Sequence, residues 1–426
     1  MKIHLNTLGC RLNEAELEQW AGDFTRAGDQ VTATADDADV IVMNTCAVTK
    51  EAVRKSRQRT QRLQRANPSA KLVISGCYST LESPEALAEL GVDLVVPNTQ
   101  KDQLVNLTRQ AFLQPTMPES ATQPAEAAIF HRNRHRAFIK IQDGCRYRCT
   151  FCIVTVARGA ERSRTVKDIV EEVNNLHAND VQEIVLTGVH VGGYGSDLDT
   201  NLYSLVRAIL LETDIPRIRF ASVEPWDLSE EFLTLFENPR VMPHMHLPLQ
   251  SGCDTVLKRM ARRCKTEDFS ELVNTLADAV PGFNVTTDLI VGFPGESEEE
   301  WQSTLAYLKE RQFGHMHIFT YSEREGTKAA TLPNPVPLAV KKARSKELHE
   351  LAASQKRRTL QSALGQCVDV LWERGEPCEQ GFVHSGYTPN YLKVDVISST
   401  NLSNRITATH LDSMDNDRII GRIVDI

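Results

Sequence analysis

Residues 137–152 read Ala137-Phe138-Ile139-Lys140-Ile141-Gln142-Asp143-Gly144-Cys145-Arg146-Tyr147-Arg148-Cys149-Thr150-Phe151-Cys152. The first five residues have the composition of a buried strand. They run into a loop whose cysteines are spaced Cys-x3-Cys-x2-Cys. Three thiolates bunched on one loop suit three irons of a 4Fe–4S cubane and leave its fourth iron without a protein ligand. An open coordination position is what a catalytic metal site requires. A structural zinc site would want a fourth Cys or His at motif spacing, and the next cysteine is Cys253. A zinc or redox loop is the alternative. A metal loop directly after a strand also fits the C-terminal mouth of a β/α barrel, where such folds carry their sites.

Working outward from that loop, strand candidates begin near Ala137, Glu183, Ile218, His244, Asn284 and His315, with helical stretches between them. Six βα units in a row predict an α/β fold, an incomplete (β/α)6 TIM-like barrel over 131–361. A long charged helix over 337–360 ends it. Residues 362–426 change character. Short β-rich runs at 368–372, 391–396 and 419–424 lie between Gly, Pro, Asn and Ser, and predict a small β-barrel. Before the cysteine loop, 114–130 is rich in Pro, Ala, Ser, Thr and Glu and reads as a linker. Residues 1–113 alternate strands (3–7, 40–44, 72–75, 92–96) with helices, the pattern of a parallel sheet. One helix starts near Asn13 and carries Leu17, Trp20 and Phe24 on one face. Ser83-Pro84 caps another, with Gly91 past its end.

A second cysteine set is hidden in that first segment. Cys10, Cys46 and Cys77 each stand just past a predicted strand, 36 and 31 residues apart, about one βα unit each. In a parallel sheet, positions at the carboxyl ends of successive strands fall along one edge. Three distant cysteines are therefore expected to converge and to hold a second cluster, again with one ligand missing. Three separately buried thiols are the alternative. The remaining cysteines, Cys253, Cys264, Cys367 and Cys378, share no spacing and read as free thiols.

Composition narrows the function classes. The 426 residues are 41% hydrophobic and 24% charged, which suits a globular protein with a substantial core. No apolar run approaches the ~20 residues that span a bilayer. With no signal-peptide pattern at the N-terminus, a cytoplasmic protein without a membrane partner is expected. The net charge of −8 excludes a bulk basic surface for nucleic acid. Local basic groups remain: Arg54, Lys55, Arg57, Arg59, Arg62 and Arg65 on the helix after Cys46. Arg132, Arg134, Arg136, Lys140, Arg146, Arg148, Arg158, Arg162 and Arg164 surround the cysteine loop, and Lys258, Arg259, Arg262, Arg263 and Lys265 form a third group. Two of these groups flank cysteines, which favours phosphate contact over merely solvated faces. The end segment, with five Lys/Arg against nine Asp/Glu over 361–426, would grip RNA only through shape and a few residues such as Tyr387, Tyr391 and Lys393.

The Cys-x3-Cys-x-Phe-Cys loop resembles the radical S-adenosylmethionine superfamily. Thr7-Leu8-Gly9-Cys10-Arg11-Leu12-Asn13, Asn44-Thr45-Cys46-Ala47-Val48-Thr49 and Ser75-Gly76-Cys77 resemble its methylthiotransferases, as do Ala157-Arg158-Gly159, Leu247-Pro248-Leu249-Gln250-Ser251-Gly252 and Gly292-Phe293-Pro294-Gly295-Glu296. The resemblance covers the whole chain. It is strongest to the branch acting on threonylcarbamoyladenosine in tRNA, through Lys55-Ser56-Arg57-Gln58, Leu186-Thr187-Gly188-Val189-His190, Ser222-Val223-Glu224-Pro225-Trp226 and Gly386-Tyr387-Thr388-Pro389-Asn390-Tyr391.

The resemblance implies two 4Fe–4S clusters. Cys145, Cys149 and Cys152 would hold the one that binds S-adenosylmethionine and yields a 5′-deoxyadenosyl radical. Cys10, Cys46 and Cys77 would hold the one that carries the sulfur, and a second S-adenosylmethionine would give the methyl group. Phe151, Gly188, Glu224 and Gln250 are the candidate cofactor contacts. Gly188 could equally be an ordinary turn glycine, and Glu224, Gln250 and Asp288 could be barrel-lining hydrogen-bond formers. The implied substrate is N6-threonylcarbamoyladenosine at position 37 of the tRNA anticodon stem-loop, modified at C2, with an electron donor and a sulfur source as further partners. The implied end segment is a TRAM-like RNA-binding barrel. Isopentenyladenosine in tRNA and a ribosomal protein side chain are the alternative substrates. An electron-transfer iron–sulfur protein is the non-enzyme alternative, disfavoured by the missing fourth ligands.

Overall fold

Apolar residues on successive positions, Val40 to Met43 and Leu72 to Ile74, make the central strands of the first segment apolar on both faces, as a covered parallel sheet requires. The computed structural model describes residues 1–112 and 136–424, so the linker expected over 114–130 lies outside it. Strands β1 (Lys2–Thr7), β2 (Gln30–Thr32), β3 (Val40–Thr45), β4 (Lys71–Gly76) and β5 (Leu94–Val96) form one parallel sheet in the order β2-β1-β3-β4-β5. Helix α1 (Arg11–Arg26) buries Leu17, Trp20, Ala21 and Phe24 against Ile3, Leu5, Val40 and Val42. Helix α2 (Lys50–Ala66) follows Cys46 and is capped by Thr49, whose hydroxyl accepts from the Ala52 amide.

Strand β6 (Arg136–Lys140) opens the second segment. A short antiparallel pair, β7 (Gln142–Asp143) and β8 (Arg162–Ser163), ties together the two ends of the cysteine loop. Five more strands start where the sequence suggests: β9 (Glu183–Thr187), β10 (Arg217–Phe220), β11 (His244–His246), β12 (Asn284–Val291) and β13 (His315–Thr320). They pair parallel as β6-β9-β10 and β11-β12-β13. Parallel bridges Ile218–Val241 and Ser222–His246 join the two halves. The result is an open, six-stranded β/α barrel with strands in chain order. Ile139, Ile184, Leu186, Ile218, Phe220, Met245 and Leu289 lie in its core. Helix α3 (Leu338–Ser362) packs Leu348 and Ala352 onto that core.

The end segment has six strands: β14 (Cys367–Trp372), β15 (Glu376–Cys378), β16 (Gly381–Tyr387), β17 (Lys393–Ser398), β18 (Ile406–Asp415) and β19 (Arg418–Ile423). Their order is β14-β18-β19-β17-β16-β15, and β14 also pairs with β16. That extra pairing closes five strands into a ring around Val370, Trp372, Val394, Leu411 and Ile419. The strand expected from 391 begins at Lys393, because Tyr391 sits in a turn at φ +68°. Strands β15, β16 and β18 lack the apolar runs that mark the other three.

Hydrogen bonds seat this small barrel on the strand-start end of the large one. Arg217 donates to the carbonyls of Tyr387 (3.2 Å) and Asp369 (2.9 Å), Arg219 to that of Pro389 (3.0 Å), and Asn284 to that of Asn390 (2.8 Å). The carboxyl ends of the strands are left to the cysteine loop.

Candidate active site

Strands β1, β3 and β4 are neighbours, so the residues that follow them lie side by side. Cys10 is the N-cap residue of α1, Cys46 directly follows β3, and Cys77 directly follows β4. Two glycines permit the approach. Gly9 has φ +131°, and a Cβ there would lie 2.8 Å from Cys46 Cβ; Gly76 has φ +105°, and a Cβ there would lie 2.2 Å from the Thr45 carbonyl. Cys46 and Cys77 are buried and Cys10 is exposed. Burial pushes the Cys46 thiol up to about 11, and Cys10 and Cys77 beside it add to the rise while the Val48 backbone opposes it. The expected convergence of these three cysteines is therefore observed.

The 145–152 loop is held from several sides. The Cys145 amide donates to the Gly159 carbonyl (3.1 Å), and the Thr150 amide to that of Met260 (3.0 Å). Phe151 packs with Val256, Met260, Phe293 and Ala329. Burial pushes Cys145 up to about 11 and Cys152 up to about 12; it also raises Cys149, against the pull of Arg262. The Arg262 Nη1 lies 3.9 Å from Cys149 Sγ, its Nη2 donates to Glu224 (2.7 Å), and its guanidinium lies over the Trp226 ring. Tyr147 donates to Asp227 (2.8 Å), and His190 is clamped between Glu161 (2.5 Å) and Asp227 (2.6 Å). Burial opposes charge on His190, yet these two carboxylates raise its pKa. Cys145, Glu161 and His190 could share a metal by distance, but both imidazole nitrogens are already engaged.

None of the six cysteines is in a disulfide. Burial disfavours the thiolate form of Cys46, Cys145, Cys149 and Cys152, and a bound metal reverses that balance. All-sulfur donor sets suit iron–sulfur clusters. The two triplets thus fit such groups in donor chemistry and in number.

One cavity of about 970 Å³ joins all three segments. Cys10, Cys46 and Cys77 stand on one wall; Gly188, Ser222, His246 and Asp288 on the barrel side; Tyr387, Tyr391 and Lys393 at the base. A Cβ on Gly188 would come within 3.0 Å of the Gln142 carbonyl, so close packing on β7 already demands glycine there. Gln250, 8% exposed, takes φ +80° at the exit of β11, a conformation that costs about 1–3 kcal/mol in a non-glycine residue. Asp288 does face inward: its carboxylate accepts from His246 Nε2 at 3.1 Å, with the His317 ring 5.4 Å from that of His246. Sequence reasoning misses these histidines. Their signal is the repeated His-Met-His at 244–246 and 315–317, alternating as in a strand with one face to the cavity.

Several basic residues read as phosphate contacts are instead buried or half-buried and paired within the protein. Arg158 is 2% exposed and donates to Glu16 (2.9 Å), Asp143 (3.0 Å) and Asn13 (2.9 Å). Arg136 pairs with Glu373, Arg164 with Glu172, Arg259 with Glu300, and Arg262 with Glu224. Lys140 is buried beside Asp102. Desolvating a cation is costly, so each inward one has found a carboxylate. Tyr387 and Tyr391 are also turned inward, stacked at 4.8 Å with Arg136 and Arg219 over their faces, and are not displayed as an outer RNA grip. Arg57, Arg59 and Arg62 on α2 are exposed. Arg132 and Arg134 lie outside the described residues.

An open six-stranded β/α barrel with a three-cysteine loop at its mouth defines the radical S-adenosylmethionine class. The Radical SAM superfamily matches residues 139–308, and the family described as "Uncharacterized protein family UPF0004" matches residues 2–97. The chain is 35% identical to threonylcarbamoyladenosine tRNA methylthiotransferase MtaB of Bacillus subtilis, over 92% of this chain and 89% of that one. It is 34% identical to the protein of the same name from Thermotoga maritima (93% and 92%). It is 35% identical to tRNA-2-methylthio-N(6)-dimethylallyladenosine synthase of Bacillus subtilis (91% and 79%). Among solved structures, the radical S-adenosylmethionine methyltransferase TsrM of Kitasatospora setae shares the fold, with a TM-score of 0.57 at 14% identity over 77% of each chain. The chain belongs to the radical S-adenosylmethionine methylthiotransferase family and is an enzyme of that class. Two 4Fe–4S clusters and S-adenosylmethionine are its cofactors. No helix among the described residues is long and apolar enough to cross a membrane.

Proposed function

We propose that this enzyme inserts a methylthio group at C2 of N6-threonylcarbamoyladenosine at position 37 of tRNA. In this reading Cys145, Cys149 and Cys152 hold the cluster that binds S-adenosylmethionine, and Cys10, Cys46 and Cys77 hold the other. The bound cofactors supply the radical, the sulfur and the methyl group, chemistry that side chains lack for an inert aromatic C–H bond. An electron donor and a sulfur source are then required partners.

The observation that carries the proposal is the cavity onto which Cys10, Cys46 and Cys77 open, because its other walls come from the barrel. The chain's own residues bind, orient and enclose. Arg262 lies against Cys149 and is fixed by Glu224, so its positive charge would favour the reduced form of a cluster held there. His190, locked between two carboxylates, holds Asp227 against Tyr147 and so fixes the loop that carries Cys145 and Cys149. Gly188 borders the cavity and Phe151 anchors the loop from behind; with Gln250 they are the residues that would meet the methionine and adenosine parts of the cofactor. The base flips out of the anticodon loop to enter, at a cost of a few kcal/mol.

The polar lining favours the threonylcarbamoyl substrate. His246, Asp288, His317, Ser222 and Lys393 would solvate a hydroxyl, a urea and a carboxylate, whereas an isopentenyl group wants an apolar wall. The relatives' names include both activities, so the test is direct. Purified enzyme is given tRNA carrying threonylcarbamoyladenosine, isopentenyladenosine or unmodified adenosine, and nucleosides are read by mass spectrometry. Product on the first alone supports the proposal; product on isopentenyladenosine alone overturns it.

A further inference from the structure

The cations around the cavity fall into two groups. Arg158, Lys356 and Arg418 each have a carboxylate partner: Glu16, Asp417 and Asp395. Lys393, at the base, has none among the described residues, and neither has Arg11. It follows Cys10 directly, is half-buried, and lines the same cavity. Its guanidinium is nevertheless fixed in place. Nη2 donates to the Tyr391 hydroxyl at 3.2 Å, and the rings of Tyr391 and Phe138 lie 5.8 and 5.7 Å from its central carbon. Phe138 comes from β6 and Tyr391 from the end segment, so all three segments hold this one side chain.

A guanidinium has five donors in a planar fork and cannot shed its charge. Here one donor is used by a neutral hydroxyl and the others have no partner among the described residues. A half-buried guanidinium that neutral groups hold in place, with its charge unpaired, marks a place kept for an incoming anion. Of the carboxylates that line the cavity, Asp288 is engaged by His246 and Asp417 by Lys356. The position matters as well. A base whose C2 approaches the Cys10, Cys46 and Cys77 wall projects its N6 substituent some bonds further along, on the scale of one arginine side chain from Cys10.

We infer that Arg11 is the carboxylate-binding residue of the substrate pocket, and that it selects adenosines whose N6 substituent ends in a carboxylate. This deepens the proposed function and rests on it. A fork-to-fork pair fixes orientation as well as affinity, which a lysine cannot reproduce. An apolar substituent would leave the guanidinium desolvated and unpaired, and is rejected for that reason.

The test uses reconstituted holoenzyme and two anticodon stem-loop RNAs, one carrying threonylcarbamoyladenosine and one with its carboxylate capped as the methyl amide. Both kcat/KM for methylthiolation and RNA binding by fluorescence anisotropy are measured, and iron content checks that each variant is loaded. The wild-type protein should prefer the free acid by about 10–100-fold, the range for a charge-assisted pair. Arg11→Gln should bring that ratio close to one, and Arg11→Lys should keep part of it. Because the ratio is taken within each variant, a general loss of activity does not imitate the result. If Arg11→Gln fails to load iron, Arg11→Lys alone decides, and an undiminished ratio there overturns the inference. A wild-type protein indifferent to the cap, or Arg11→Gln with the wild-type ratio, also overturns it. A wild-type protein that modifies only an isopentenylated stem-loop overturns the underlying substrate assignment instead.

Discussion

Replacing Glu16 with Gln should destabilise the metal-free protein by about 3 kcal/mol, because Glu16 holds the two cysteine-bearing segments together. Glu16 lies on α1, six residues after Cys10, and is 1% exposed. It accepts from Arg158 and Asn44, both at 2.9 Å, and from Lys101. Burial alone would raise its pKa; Arg158, Lys101 and Lys140 outweigh burial and hold the carboxyl far below the usual range. Arg158 keeps Asp143 when Glu16 is neutralised, but Lys101, 2% exposed, has no other carboxylate among the described residues. Stripping the partner from a buried charge costs about 3–5 kcal/mol, and the amide oxygen that Gln retains places the loss near the lower figure. At roughly 2–4 °C per kcal/mol for a unit of this size, the thermal midpoint should fall by about 6–12 °C. Scanning calorimetry at pH 7.5 reads it. The double replacement Glu16→Met, Lys101→Met should recover most of the loss, since no charge is left stranded. The sign with pH follows from the depressed pKa. The Glu16 contribution is complete above about 4.3, the unfolded value, and wanes as pH falls below it, so the wild-type advantage over Glu16→Gln must shrink in acid. A shift under about 2 °C, or a double variant no better than the single one, would refute the reasoning.

Three further outcomes follow from the same geometry. Replacing Cys145, Cys149 and Cys152 with Ala should leave about half of the reconstituted iron, held by Cys10, Cys46 and Cys77; an iron-free triple variant that still folds would refute two independent sites. Cys46→Ala should abolish methylthiolation while 5′-deoxyadenosine is still formed from S-adenosylmethionine, as chromatography would show, and loss of both with the other cluster intact would count against separate roles. Arg57, Arg59 and Arg62 changed to Glu should weaken tRNA binding and flatten its log–log salt dependence by about one unit for each phosphate no longer neutralised, whereas an unchanged slope would make α2 a solvated face.

The six cysteines could be placed from sequence because each obeys a local rule. Three share one loop, and three stand one residue or one tight turn past a strand, where chain spacing reports spatial spacing. The six barrel strands were readable as well, since each is a short β-rich run set off from its neighbours by helical stretches. Strands β16 and β18 were not. Gly381-Phe382-Val383-His384-Ser385-Gly386-Tyr387 and the threonine-rich 406–415 run form a barrel so small that half of each strand faces out. Ion pairing was the least readable feature, for a plain reason: Glu16 and Arg158 are 142 positions apart, and no periodicity links them. A run of basic residues around the cysteine loop therefore looked like one phosphate-binding patch. The fold divides it instead, drawing Lys140, Arg158 and Arg164 into internal pairs. The same accounting of partners isolates Arg11, which stood inconspicuously beside Cys10 in the sequence. A cation's role is set by which carboxylates the fold brings to it, and a guanidinium fixed beside the substrate cavity without one is free to meet a carboxylate from outside.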